Sequence, residues 1–381
     1  MKVGLLSHRG GNIGHDMMAT GFEVIVRDAL GPEVQIEHIE QHHPLWYYPA
    51  WYPIRYLELI PHQRMRKLKE ALMRENLHRP AWKHMRRLSW SVAIACGGPV
   101  INPQSAGSPE MKMVYHFLPG MIAEQGIPVL DCGVGTCYPL ERVPERLEGQ
   151  ADIQFYEKLF SYTTLSLVRD RLAEKLWGQM GRPVHRVVCG AIAAGKHFQN
   201  ILTDPIPGDR DKFIGVNYQL YGANEDWGQG VDTRLWRETI RGLVHKLQTR
   251  HRVAFICHSQ AEHQLAREAD ANVPRFFPRS IKEYASMANQ IKAAVVSRLH
   301  AAIPLAGMGI PSVVVGTDTR LWAADEIGLK TIYVKQATVE ALETLLEGYL
   351  TDYGRTHEQL LSVRNQTIQK YGDFIKSSIK D

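Results

Sequence analysis

The chain has no CxxC pair and no cysteine at metal-ligand spacing from histidine, and its five cysteines, Cys96, Cys132, Cys137, Cys189 and Cys257, are an odd number. That pattern speaks against a disulfide framework and against a zinc site, and fits reduced thiols in a cytoplasmic protein with no metal. Missing too is any apolar run approaching the ~18 residues a membrane span needs. The first residues, Met1 to Gly10, read as a short strand followed at once by polar residues, too brief for the apolar core of a secretory signal. No repeat of solenoid period and no low-complexity tract is visible. Neither the dinucleotide fingerprint nor the P-loop occurs, so NAD and ATP are not indicated. Neither sign of charge dominates: 45 Lys and Arg stand against 40 Asp and Glu, a net +5. So small an excess suits anionic small ligands but does not indicate a nucleic-acid partner.

What is present is the pattern of a large α/β protein. With 381 residues, 44% of them apolar, the chain exceeds a comfortable single core and points to two domains. Short β-type apolar runs alternate with helical periodicity, as in βαβ units with parallel sheets. In the first half the runs are Lys2 to Leu6, Val92 to Ala95, Ile127 to Leu130, Thr163 to Val168 and His185 to Val188. A loop-like stretch around Asp204-Pro205-Ile206-Pro207-Gly208-Asp209 marks a boundary. The series then restarts with Phe213 to Val216, an amphipathic helix carrying Trp236, Ile240, Leu243, Val244 and Leu247, and the runs Val253 to Cys257, Ala293 to Val296, Ser312 to Val315 and Thr331 to Val334. The expected layout is an N-terminal domain at 1–195, a linker at 196–212, a second domain at 213–349, and a helical segment at 350–381 that crosses back onto the first domain.

One insertion, 46–90, stands apart. It holds Trp46, Tyr47, Tyr48, Trp51, Tyr52, Tyr56, Trp82 and Trp90, and from Arg55 to Arg87 it carries ten Lys and Arg against three Glu. Two readings stay open. Aromatic rings stack on sugars and basic groups meet phosphates, so the segment would dock on an anionic membrane, a lipid-linked sugar diphosphate or an acidic polysaccharide. Equally, it is an amphipathic helix pair with a solvated basic side.

The candidate chemistry sits at strand ends. Ser297-Arg298-Leu299-His300 lies where the run Ala293 to Val296 hands over to a helix, so Arg298 and His300 would meet an anion together with helix N-terminal N–H groups. Pro304 is expected within the first helical turn, which puts the N-cap near His300 and keeps Arg298 extended. Arg169 follows a strand directly, where open α/β sheets form their ligand crevice; Asp170 beside it reads as an N-cap. The first loop holds His8, Arg9, Gly11, Asn12, Gly14 and Asp16, with glycines that let backbone approach a ligand. Gly97 and Gly98, and Gly133 and Gly135, end two further strands and offer backbone N–H groups, or simply make tight turns.

Val295-Val296-Ser297-Arg298-Leu299-His300-Ala301-Ala302-Ile303 followed by Gly309-Ile310-Pro311-Ser312-Val313-Val314-Val315 resembles the hallmark segment of the polysaccharide pyruvyltransferase family. Further pieces fall in that family's order: Gly11-Asn12-Ile13-Gly14, Cys96-Gly97-Gly98, Val168-Arg169-Asp170, Ser280-Ile281-Lys282-Glu283-Tyr284 and Glu326-Ile327-Gly328-Leu329. The chain departs from the family pattern where His15 precedes Asp16, where Cys189-Gly190-Ala191 replaces Asp-Pro, and where Pro99 replaces a third glycine.

The resemblance implies two Rossmann-like domains facing across a cleft, a GT-B-like architecture. It implies phosphoenolpyruvate as co-substrate, with no metal or organic cofactor, and a saccharide or lipid-linked saccharide diol as acceptor. Arg298 and His300 would be catalytic; Arg169, Arg298, Ser297, Gly133 and Gly135 would bind the donor; the first loop with Gly97 and Gly98 would face the acceptor. The expected setting is the cytoplasm, with peripheral contact at the inner membrane face through 46–90. Two other readings share the architecture: a nucleotide-sugar glycosyltransferase, which needs a ribose-binding carboxylate such as Asp325 or Glu326, and a saccharide-binding protein without turnover.

Overall fold

The computed structural model describes residues 1–7, 13–40, 87–201 and 212–379. The first loop's His8, Arg9, Gly11 and Asn12, nearly all of the aromatic basic insertion and most of the linker lie outside the described residues. Among the described residues, no helix is long and apolar enough to cross a membrane.

Two parallel sheets form the frame, each Rossmann-like. In the first, β1 (Lys2–Ser7), β2 (Gln35–Glu40), β3 (Val92–Ala95), β5 (Val129–Thr136), β6 (Leu165–Val168) and β7 (His185–Arg186) lie in the order β2-β1-β3-β5-β6-β7, with β4 (Gly98–Ile101) paired beside β5. In the second, β8 (Phe213–Asn217), β9 (Arg252–Ile256), β10 (Arg275–Phe276), β11 (Ile291–Val296), β12 (Ser312–Gly316) and β13 (Lys330–Tyr333) lie in the order β10-β9-β8-β11-β12-β13. This is the two-domain, GT-B-like arrangement.

Sheets covered on both faces need strands apolar on both faces, and β11 shows it. Ile291, Ala294 and Val296 enter one core, while Ala293 and Val295 enter another beneath the helix Thr233–Gln248. The first of these cores runs through both domains, joining Leu5, Phe22, Ile192, Ile303 and Tyr371. The last helix, Tyr353–Ser378, lies on helix Ile13–Leu30 of the first domain. There the Phe22 and Tyr371 rings meet edge to face at 5.3 Å.

Several local expectations shift. Lys196 to Ile201, expected in the linker, is the end of a helix, Ala194–Ile201. Phe198 there is fully buried and Lys196 pairs with Asp28 at 2.5 Å, so the segment is anchored to the body. That helix meets the second domain through two glycines: a Cβ on Gly195 would stand 2.1 Å from the Gly307 carbonyl carbon. Gly133 and Gly135 lie inside β5 rather than in a turn, because the strand continues to Thr136 past a register slip between Cys132 and Val134, where Gly133 takes φ +78°. Gly98 likewise opens a strand, β4. Helix Leu299–Gly307 begins earlier than Pro304 suggested: Arg298 is the N-cap and the proline lies inside the helix. The early turn closes with the Ala301 and Ala302 N–H groups sharing the Arg298 carbonyl, at 3.0 and 3.2 Å.

Candidate functional site

The carboxyl ends of both sheets face one cavity of about 180 Å3 between the domains. β11 delivers Ser297 to its wall, and Arg298 follows in extended conformation (φ −111°, ψ 126°) before the helix starts. His300, one residue into that helix, also lines the cavity, as do Arg169 from the end of β6, Arg320 from beyond β12, and His15 from helix Ile13–Leu30. Two seams hold the walls together. Residues after β5 join residues after β12: Leu140 N–H donates to Thr317 O at 3.0 Å, Thr319 N–H to Tyr138 O at 2.9 Å, and the Thr136 and Thr319 hydroxyls meet at 2.8 Å. On the other side, helix Ile13–Leu30 presses on His300, where a Cβ on Gly14 would stand 2.8 Å from Nδ1.

Three guanidinium groups line this space, and their partners differ. Arg298 Nε donates to the Glu262 carboxylate. That carboxylate is almost fully buried and also accepts from Asn217 Nδ2 and from the His258 backbone N–H, each at 2.9 Å. Arg320 grips Asp318 with two prongs, Nε to Oδ1 at 2.8 Å and Nη2 to Oδ2 at 2.6 Å, while Trp227 Nε1 donates to Oδ2 at 3.3 Å. Asp318 and Arg320 thereby stabilise each other's charged forms, moving the carboxyl pKa down and the guanidinium pKa up despite burial. Arg169 differs from both. It is 1% exposed, its Nη1 reaches only the Cys189 thiol at 3.6 Å, and its Nε has no hydrogen-bond partner among the described residues. A buried guanidinium with an open donor is costly unless something completes it. Gly135 makes room for it: a Cβ there would stand 2.3 Å from Arg169 Nε. Asp170, beside it, caps the next helix by accepting from Ala173 N–H at 2.9 Å and takes Thr136 N–H at 2.8 Å.

His300 Nε2 is buried without a hydrogen-bond partner among the described residues. Its ring stands edge-on to His15 with centroids 6.4 Å apart. Burial first, then Arg169, His15, Arg320 and His258, hold its pKa well below the usual imidazole value. These groups therefore favour its neutral form. Burial and then Arg298 likewise push His258 down to about 3.

The cavity wall thus brings together Arg169, Ser297, Arg298 and His300, while Gly97, Gly98, Gly133 and Gly135 are not on it. These glycines shape the backbone behind it. Asp16 sits in the first turn of helix Ile13–Leu30 and is not on the wall. Asp325 and Glu326 are engaged elsewhere, with Thr331 Oγ1 at 2.6 Å and Arg186 Nη1 at 2.9 Å. Glu262, Asp318 and Arg320 belong to the site without any signal in the local sequence. Among the described residues, no group of three or more His, Cys, Asp or Glu could hold a metal ion.

No protein-family model and no curated protein matches the chain. Solved structures do, at the level of fold. The chain is similar to a UDP-GlcNAc 2-epimerase from Neisseria meningitidis bound to UDP-GlcNAc, with TM-score 0.55 and 13% identity over 99% of each chain. It is similar to S. aureus MnaA in complex with UDP, with TM-score 0.54 and 12% identity over 98% of this chain and 96% of that one. For the UDP-GlcNAc 2-epimerase from Methanocaldococcus jannaschii the values are 0.50 and 10%, over 91% of each chain. At these identities the likeness defines the class of fold, two Rossmann-like domains in the GT-B arrangement, and nothing finer.

Proposed function

We propose that this protein is a transferase that holds a small phosphorylated acid in the inter-domain cavity and passes its organic group to a saccharide, phosphoenolpyruvate being the donor the site fits best. The observation that carries this reading is the wall itself: a buried guanidinium with an open donor, a second guanidinium, and an unpartnered imidazole around a cavity of about 180 Å3.

In this reading Arg169 and Arg298 hold the donor's phosphate and carboxylate. With the anion bound, His300 takes a proton from solvent and delivers it to the enol methylene as a saccharide hydroxyl adds to the central carbon. His300 recovers a proton from that hydroxyl. A second hydroxyl then displaces phosphate, its own proton leaving with the phosphate, and the pyruvate ketal closes. The guanidinium groups meet the charge that develops on the departing phosphate.

A second reading, a nucleotide-sugar enzyme, is favoured by the fold likeness to UDP-GlcNAc 2-epimerases. It needs a carboxylate for the ribose, and Asp325 and Glu326 are both committed away from the cavity. Incubation with phosphoenolpyruvate and a panel of saccharide acceptors, followed by phosphate release and mass detection, separates the two. The expected result is a pyruvylated product, with His300→Ala and Arg298→Ala each slowed about a hundredfold or more. Stabilisation by UDP but not by phosphoenolpyruvate in a thermal melt would move the assignment to the second reading.

A further inference from the structure

The charges on the cavity wall do not balance evenly, and the imbalance lies at one place. Arg298 is neutralised by Glu262 and Arg320 by Asp318. Arg169 has no carboxylate within ion-pair distance among the described residues; Asp170, its chain neighbour, turns its oxygens to Thr136 and Ala173. His300 stands beside this cation, which Asp170 offsets only from beyond ion-pair distance, and its Nε2 is open among the described residues. The N-terminus of helix Leu299–Gly307 adds its own positive end at the same wall, and the Ser297 hydroxyl there is buried without a partner among the described residues. One fixed positive charge and one imidazole able to become positive together match a dianion.

We propose that the cavity is a proton-coupled anion site, in which a tetrahedral dianion of the phosphate class seats against Arg169 and His300 takes up a proton as it binds. The inference rests on the cavity being the ligand site of the proposed function, but not on the donor or the reaction. The groups facing His300 are His15 from helix Ile13–Leu30, Arg169 from the end of β6, Arg320 with its Asp318 from beyond β12, and His258 from the end of β9, with Arg298 tied to Glu262 behind it. Arg169, His15, Arg320 and His258 all act on the ring as cations or potential cations. Burial first, and then these groups, disfavour imidazolium. A bound dianion reverses the sign of the local field, so the proton and the anion stabilise one another. The same coupling would arm His300 as an acid only when a phosphorylated ligand is present.

Sulfate is the probe, because it stays a dianion across the histidine range and any proton taken up belongs to the protein. Calorimetric titration of the full chain with sodium sulfate, from about pH 6 to about pH 8 in buffers of different protonation enthalpy, reads affinity and proton uptake together. The expected result is an affinity that falls with rising pH, by up to about tenfold per unit, with up to about one proton taken up per site. His300→Asn should still bind sulfate, with no pH slope and no uptake. His15→Asn should keep the slope. Arg169→Gln should weaken binding by about tenfold or more; Arg169→Lys, which keeps the charge, should lose less, and circular dichroism checks that both are folded. A flat pH profile in the wild type, no sulfate binding, a slope that survives in His300→Asn or vanishes in His15→Asn, or full affinity in Arg169→Gln would each overturn the proposal. Failure of phosphoenolpyruvate to react would leave these sulfate results untouched, and so would count against the donor assignment alone.

Discussion

Glu262 and Arg298 offer the sharpest test of how the site is built. The Glu262 side chain is 4% exposed and that of Arg298 16%, so removing either leaves a charge in a place that water reaches poorly. The two losses are unequal. Glu262→Gln leaves the Arg298 guanidinium without its counter-charge, and the His258 N–H and Asn217 amide lose a charged acceptor; breaking a buried pair in this way costs about 3–5 kcal/mol. Arg298→Met leaves Glu262 still accepting two hydrogen bonds, so the cost is nearer the about 1.5–3 kcal/mol of one bond to a charged group. The double variant should cost less than the sum, with a coupling of about 1–3 kcal/mol. Urea unfolding of the wild type, both single variants and the double variant supplies the four numbers. Additivity within about 0.5 kcal/mol would mean that the carboxylate does not hold the guanidinium, and the argument that Arg169, not Arg298, lacks an ion pair would fall with it.

Two further outcomes follow from buried groups. Asp131, in β5, is 1% exposed with neither carboxyl oxygen hydrogen-bonded among the described residues, and burial raises its pKa to about 7, with Arg182 opposing. The folded state then holds a proton that the unfolded state releases, so stability declines as pH rises from about 4 through about 7; Asp131→Asn should flatten that decline in urea melts, and equal slopes in both proteins would contradict it. At the site, a methyl on Gly14 would stand 2.7 Å from His300 Cβ; Gly14→Ala should cost about 1–3 kcal/mol in unfolding and weaken sulfate binding by displacing the ring, and unchanged affinity would show that the contact does not position His300.

The sequence spoke clearly wherever local pattern and final structure depend on the same few residues. Runs such as Ala293 to Val296 are apolar at consecutive positions because both faces of the sheet are covered, and the turn behind them brings Ser297, Arg298 and His300 to one wall. Pro304 misled by two residues, since its missing N–H removes a bond inside the helix without stopping the turn before it. What stayed hidden depends on distant chain. Glu262 sits on Gln260–Ala269, whose sequence reads as an ordinary amphipathic helix, and meets Arg298 across 36 residues of separation. The burial of Arg169 depends on space left by Gly135 on the neighbouring strand, and Gly97 lets its backbone approach the Cys132 carbonyl. No local period records either fact.

The most direct test of the account is a calorimetric titration of phosphoenolpyruvate into the wild-type chain and into Arg169→Gln. Saturable one-to-one binding by the wild type, weakened by about tenfold or more in the variant, is the predicted result. Equal affinity in the two proteins, or no binding to either, would contradict the claim that the space between the two sheets is built around an anion.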